Sequence, residues 1–162
     1  MSIFNKQKVL DYFNLKQDPF SITPNVSLYC GLPTHEEALR TLSYVVQSNE
    51  GFFLAYGEVG VGKTLLCRKL LQELDKQDNI QTCYLPNPNI SIKAIELAIC
   101  DELDMKDMPA IGVDEQYYHK ISERLLALAK QGIKTVLIID EAQTLSDAGL
   151  EYLRLLSNLE TE

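Results

Sequence analysis

A chain of 162 residues, 46% hydrophobic and 23% charged with 8 Gly and 6 Pro, has the size of one domain and the composition of a folded globule. Collagen-like, disordered and low-complexity chains are excluded. Fifteen Lys and Arg against 23 Asp and Glu leave a net charge of −8, which sets the surface as a whole against a phosphate backbone and disfavours nucleic acid as a partner.

The first 34 residues are expected to be irregular, because the prolines of Asp18-Pro19-Phe20 and Thr23-Pro24-Asn25 break any helix. Residues 1–34 are therefore taken as an arm packed on a core formed by residues 35–162. Phe20 and Tyr29 either pin this arm or pack near an adenine ring. Thr34 with Glu37 fits a capping box, and Leu39, Leu42, Val45 and Val46 follow at helical spacing, which predicts a helix from about His35 to Gln47. His35 itself is expected to be a surface residue. Phe52-Phe53-Leu54-Ala55-Tyr56, with a glycine on either side, suits a strand buried on both faces.

Leu66, Leu70 and Leu74, with Cys67 and Leu71 beside them, mark a helix to about Lys76. A second strand is predicted over Ile80 to Leu85. Ser91 can cap a helix carrying Ile92, Ile95, Ile99 and Leu103, and the acidic run Asp101-Glu102 with Asp104 is expected on a solvated face. Asp114 can start another helix, with Tyr118, Ile121, Leu125 and Leu128 inward and Gly132 just past its end. Thr135 to Ile139 is a third buried strand, and a last helix runs from about Asp147 to Leu159. Strands alternating with helices imply an α/β fold, a parallel sheet flanked by helices.

Cys30, Cys67, Cys83 and Cys100 form no CxxC pair and the chain holds two histidines, so reduced, mostly buried thiols in a cytosol-like compartment are expected. No stretch has the apolar length of a membrane span, and Met1 to Leu10 lacks the apolar region of a secretory signal.

The chemistry concentrates in two places. Gly57-Glu58-Val59-Gly60-Val61-Gly62-Lys63-Thr64 is a full match to GxxxxGK[ST], placed between a predicted strand and a predicted helix. Glycines let the backbone curl around phosphate oxygens, so that successive amides and the helix N-terminus, through Leu65, point at the anion. Lys63 can reach the β- and γ-phosphates of ATP, or the β-phosphate of ADP, and Thr64 can place its hydroxyl on Mg²⁺. The third strand delivers Asp140-Glu141-Ala142-Gln143 to the carboxyl edge of the sheet, where ligands bind in such folds. Asp140 would hold the metal's hydration shell and Glu141 would polarise the attacking water, which makes Lys63 and Glu141 the candidate catalytic residues. Alone, an acid there could merely cap the next helix; downstream of a phosphate loop it is a metal-side candidate. Gln143 either bonds the water or γ-phosphate, or caps and faces solvent.

At these residues the sequence resembles a family. Tyr12-Phe13-Asn14-Leu15, Asp18 to Pro24, His35-Glu36-Glu37-Ala38-Leu39, Gly57 to Thr64 with Leu66-Cys67-Arg68, and Asp140 to Gln143 look like the AAA+ ATPases of the general secretion pathway protein A type, whose relatives also serve mannose-sensitive pilus biogenesis. The resemblance implies a P-loop nucleoside triphosphatase of the catalytic-glutamate class. It also implies the cytoplasmic ATPase part of an inner-membrane protein, reaching the membrane only through regions outside this sequence. It further implies self-association through the ATPase domain, and secretion or pilus assembly proteins as partners. In that class a fourth strand enters between the phosphate-loop strand and the Asp-Glu strand. The sequence ends at Glu162 before such a strand, the sensor residue, the arginine finger and the helical lid, so an amino-terminal piece of a larger protein is expected. Such a piece would hydrolyse ATP slowly, since an arginine's charge is worth ~10³-fold or more in the transition state. Two other functions share the motifs: a DNA-binding regulatory ATPase of the transposition type, against which the net charge counts, and a nucleotide-gated interaction scaffold with little turnover.

Overall fold

Two parallel strands organise the chain. In the computed structural model, which describes residues 6–19, 24–48, 51–87, 91–106 and 114–161, β1 (Ile80–Leu85) pairs with β2 (Lys134–Ile139) from Ile80 opposite Lys134 to Leu85 opposite Ile139. Between the strands the chain forms α4 (Ile92–Glu102) and α5 (Asp114–Lys130). Before them come α1 (Lys6–Tyr12), α2 (Pro33–Ser48) and α3 (Lys63–Leu74), and after them α6 (Asp147–Ser157). Short 3-10 turns occupy Val26–Leu28, Ala142–Thr144 and Asn158–Thr161.

Period-two alternation sends each strand's side chains to both faces of the sheet. Cys83 and Leu85, with Leu137 and Ile139, face a core built with Ile95, Ile99, Leu103, Tyr117, Ile121, Leu128, Tyr152, Leu153 and Leu156 of α4, α5 and α6. Ile80, Val136 and Ile138 face the opposite way, onto Leu39 of α2 and Leu70 and Leu74 of α3. The sheet is thus sandwiched between α4–α6 and α2–α3, the layered arrangement of an α/β P-loop fold, and the continuous apolar run of β2 follows from burial on both sides.

Helix ends explain the punctuation. Gly132 stands at φ 75°, with its N–H bonded to Ala129 O and the Ile133 N–H to Leu128 O, a Schellman end for α5. The same pattern closes α4 at Asp104 and α1 at Asn14, residue types that tolerate the left-handed region better than most. α2 begins at Pro33, so Thr34 lies inside the first turn and the expected capping box is replaced by proline at the first helical position. Leu32 O accepts from Glu36 N–H there.

Three expectations are corrected. Residues 6–12 are helical rather than irregular, with Gln7 Nε2 donating to Asp11 Oδ1 at 2.8 Å. Glu102 does more than face solvent: its carboxylate accepts the Tyr84 N–H at 3.1 Å and covers the edge of β1 away from β2. The third concerns Phe52-Phe53-Leu54-Ala55-Tyr56, which joins no ladder and is exposed, Leu54 to 72% and Tyr56 to 90%. A strand requires a neighbour to take its N–H and C=O groups, and among the described residues neither β1 nor β2 runs alongside this segment. Phe20, with residues 21–23, lies outside the described residues. No helix among the described residues is long and apolar enough to cross a membrane.

Burial separates the thiols. It pushes Cys83 up to about 12 and Cys100 up to about 11, whereas Cys30 is exposed. At pH 8 the thiolate fraction of Cys83 is therefore about 10⁻⁴, so native protein treated with iodoacetamide is expected to alkylate at Cys30 and to spare Cys83 and Cys100 until denaturant is added. Peptide mass spectrometry reads the result, and modification of Cys83 at the rate of Cys30 would contradict the packing of β1.

Candidate functional site

The loop from Gly57 to Gly62 runs directly into α3, whose first residue is Lys63. Gly60 at φ 84° and Gly62 at φ 93° hold left-handed conformations that a side chain would strain. A Cβ on Gly57 would come within 3.3 Å of Val61 Cγ2. Gly62 caps α3 without a side-chain acceptor, so the first N–H groups of the helix are offered to whatever anion lies at the loop. Glu58 and Val59 expose their side chains and Val61 half of its own, so these three contribute through the backbone. Lys63 Nζ folds back over the loop and donates to Gly57 O at 2.9 Å and Glu58 O at 2.8 Å. Thr64 and Leu65 are half-buried on the first turn of α3.

Asp140 directly follows β2, and its own N–H donates to Leu85 O at 3.0 Å. It is 8% exposed, and each carboxylate oxygen has a donor: Oδ1 the Glu141 N–H at 3.0 Å, Oδ2 the Tyr84 hydroxyl at 3.5 Å. Burial, and then the Asp140 charge, raise the Tyr84 hydroxyl above its ordinary range and raise the Cys67 thiol in the same way. Cys67 is three residues after Thr64, so the face of α3 that feels Asp140 is the face that carries the Thr64 hydroxyl. Arg68, next on α3, acts on the Tyr84 hydroxyl in the opposite sense, lowering it, and donates from Nη1 to Pro24 O at 2.9 Å, which ties the loop helix to the arm.

Glu141 is exposed and stands at φ 51°, ψ 38°, a left-handed conformation that is strained for a glutamate. It opens the Ala142–Thr144 turn, and its carbonyl accepts from the Thr144 N–H at 3.0 Å and the Thr144 hydroxyl at 2.9 Å. Gln143 Nε2 donates to Glu141 Oε2 at 2.5 Å, so Gln143 holds the glutamate carboxylate, a role beyond the two that the sequence left open.

The residues present fit Mg²⁺ and a nucleotide. Thr64 and Asp140 offer hard oxygen donors, the kind that Mg²⁺ takes. Such a partial oxygen set leaves coordination positions for phosphate and water, as Mg²⁺ sites usually do. Lys63 spends two donors on neutral carbonyls, which a phosphate would out-compete because charged acceptors bind an ammonium more strongly.

Two residues make contacts at the site that their sequence positions do not announce. His35 Nε2 bonds Val61 O at 2.9 Å, across a separation of 26 residues, although a lone histidine at a helix start suggests only a surface residue. Tyr84 meets Asp140 only because β1 and β2 are in register at their ends. Tyr29 pins the arm, donating to Glu36 Oε1 at 3.1 Å beneath Lys69 Nζ, which lies 5.8 Å from its ring centroid.

Residues 46–162 match the AAA domain family. Over 151 residues the chain is 40% identical to the general secretion pathway protein A of Aeromonas hydrophila, an alignment that covers 93% of this chain and 27% of that protein. The chain thus spans little more than a quarter of that relative's length. No solved structure matches it.

Proposed function

This chain belongs to the AAA domain family, and on that premise we propose that it is an ATP-binding and ATP-hydrolysing module that drives an assembly or export step in a bacterial secretion or pilus system. The observations that carry the reading are the Gly57–Gly62 loop running straight into α3 at Lys63 and the buried Asp140 that follows β2. Likeness to a secretion-pathway protein supports the cellular setting, which we take to be the cytoplasmic side of an inner-membrane protein. Partners in this reading are other copies of the chain, meeting through the ATPase domain, and the assembly proteins of the apparatus. The net charge of −8 supports a protein rather than a nucleic acid as the object of the work.

Binding begins when Lys63 exchanges Gly57 O and Glu58 O for β- and γ-phosphate oxygens, while the amides of residues 60–65 direct N–H groups at the same oxygens. Thr64 and Asp140 would hold Mg²⁺, which supplies positive charge against the phosphate oxygens. Tyr84 and the Glu141 N–H keep the Asp140 carboxylate oriented. Glu141, steadied by Gln143, is the group placed to take a proton from the attacking water.

Phosphate release from ATP with Mg²⁺, measured on the protein across a concentration series, tests the reading. Release that rises more steeply than protein concentration supports turnover in an assembly of copies. Nucleotide binding with no release at any concentration overturns hydrolysis.

A further inference from the structure

The carbonyl of Val61 in the phosphate loop accepts from Nε2 of His35 on the first turn of α2 at 2.9 Å. A carbonyl oxygen can only accept, so in this contact Nε2 carries the proton. In a trans peptide unit the C=O and the following N–H point in opposite directions. A Val61 carbonyl drawn to His35 therefore turns the Gly62 N–H away from α2. Gly62 needs such an anchor, because it sits at φ 93° with no side chain of its own to hold the peptide, in a loop whose residues 57–61 are exposed. The imidazole also lies against the glycine: a Cβ there would be 3.7 Å from both Cε1 and Nε2.

The ring is itself fixed by the arm. Tyr29 packs on it with ring centroids 6.3 Å apart and planes 32° apart. Tyr29 is held by Glu36 and lies beneath Lys69, and one residue earlier on α3 Arg68 holds Pro24. The arm thus grips α3 and the histidine together, and the histidine grips the loop.

We propose that His35 is a positioning residue for the phosphate loop: it fixes the Val61–Gly62 peptide so that the Gly62 amide is already turned to receive a phosphate oxygen, with Tyr29 of the arm keeping its ring in place. The inference rests on the nucleotide reading of the loop. Presetting the peptide removes part of the ordering cost of binding, so the loss should appear in affinity rather than in folding.

The test compares His35→Ala with His35→Gln, whose side-chain amide can present a donor where Nε2 stands. Binding of ADP with Mg²⁺ is expected to weaken ~10-fold in His35→Ala, as for loss of one hydrogen bond, and to stay near the wild-type value in His35→Gln. Both variants are expected to melt close to the wild type. Hydrogen–deuterium exchange of peptide 57–64 in the ligand-free protein should quicken in the alanine variant alone. Wild-type affinity and unchanged exchange in His35→Ala would overturn the proposal, as would a glutamine variant as weak as the alanine one. Should the wild type bind no ADP, the nucleotide reading falls. The exchange rates of the ligand-free proteins would then still decide whether His35 sets the peptide.

Discussion

Replacing Lys63 with alanine is expected to weaken ATP binding by ~100-fold or more while leaving the fold intact. The ammonium would give the phosphates two charge-assisted hydrogen bonds at about 1.5–3 kcal/mol each, so about 3 kcal/mol or more of binding is lost with the side chain. Its bonds to Gly57 O and Glu58 O lie at the surface, and the carbonyls it leaves behind can be taken over by water. The stability of the protein should therefore change little. Isothermal titration with ATP and Mg²⁺, paired with a thermal melt, separates the two quantities. An affinity within a few-fold of wild type would mean that Lys63 does not meet phosphate and that the loop is only a glycine turn.

Glu141→Gln is expected to behave in the opposite way, with nucleotide bound as before and phosphate release reduced by ~10²–10⁴-fold, the usual contribution of a positioned general base. The amide is nearly isosteric with the carboxylate and can still accept from Gln143, so the left-handed turn and the Thr144 contacts survive the change. What disappears is the capacity to take a proton. A single-turnover measurement of phosphate release, with ADP affinity as the control, checks it. Release within a few-fold of wild type would remove Glu141 from the chemistry and move the search to another base.

Much of this architecture was legible because it is local. Ile80–Leu85 forms the strand its composition implies, Gly132 closes α5 where a left-handed residue is needed, and Gly60 and Gly62 of the loop before α3 occupy positive-φ positions. The two motifs fall on the helix start and the strand end at which their chemistry has a use. What escaped is non-local. An apolar run such as Phe52–Tyr56 becomes a strand only if another strand lies beside it, and composition carries no record of that neighbour. Nor can one histidine announce a carbonyl 26 residues away, since the contact is made by the packing of α2 against α3. The helix α1 was missed for a different reason: seven residues with no acidic group in the first turn give periodicity too little length to register.

The backbone of Glu141 carries an evolutionary cost that its exposed side chain conceals. A non-glycine residue in the left-handed region gives up roughly 1–2 kcal/mol, and glycine there recovers this against roughly 0.5–1 kcal/mol of extra unfolded-chain entropy. Glu141→Gly should therefore raise the melting temperature slightly while phosphate release falls. A library screened for heat resistance alone would enrich glycine or asparagine at position 141, and a library screened for growth on the proposed activity would reject both. Divergence between the two screens at this position would mark the glutamate as kept for its carboxylate, at the expense of the fold.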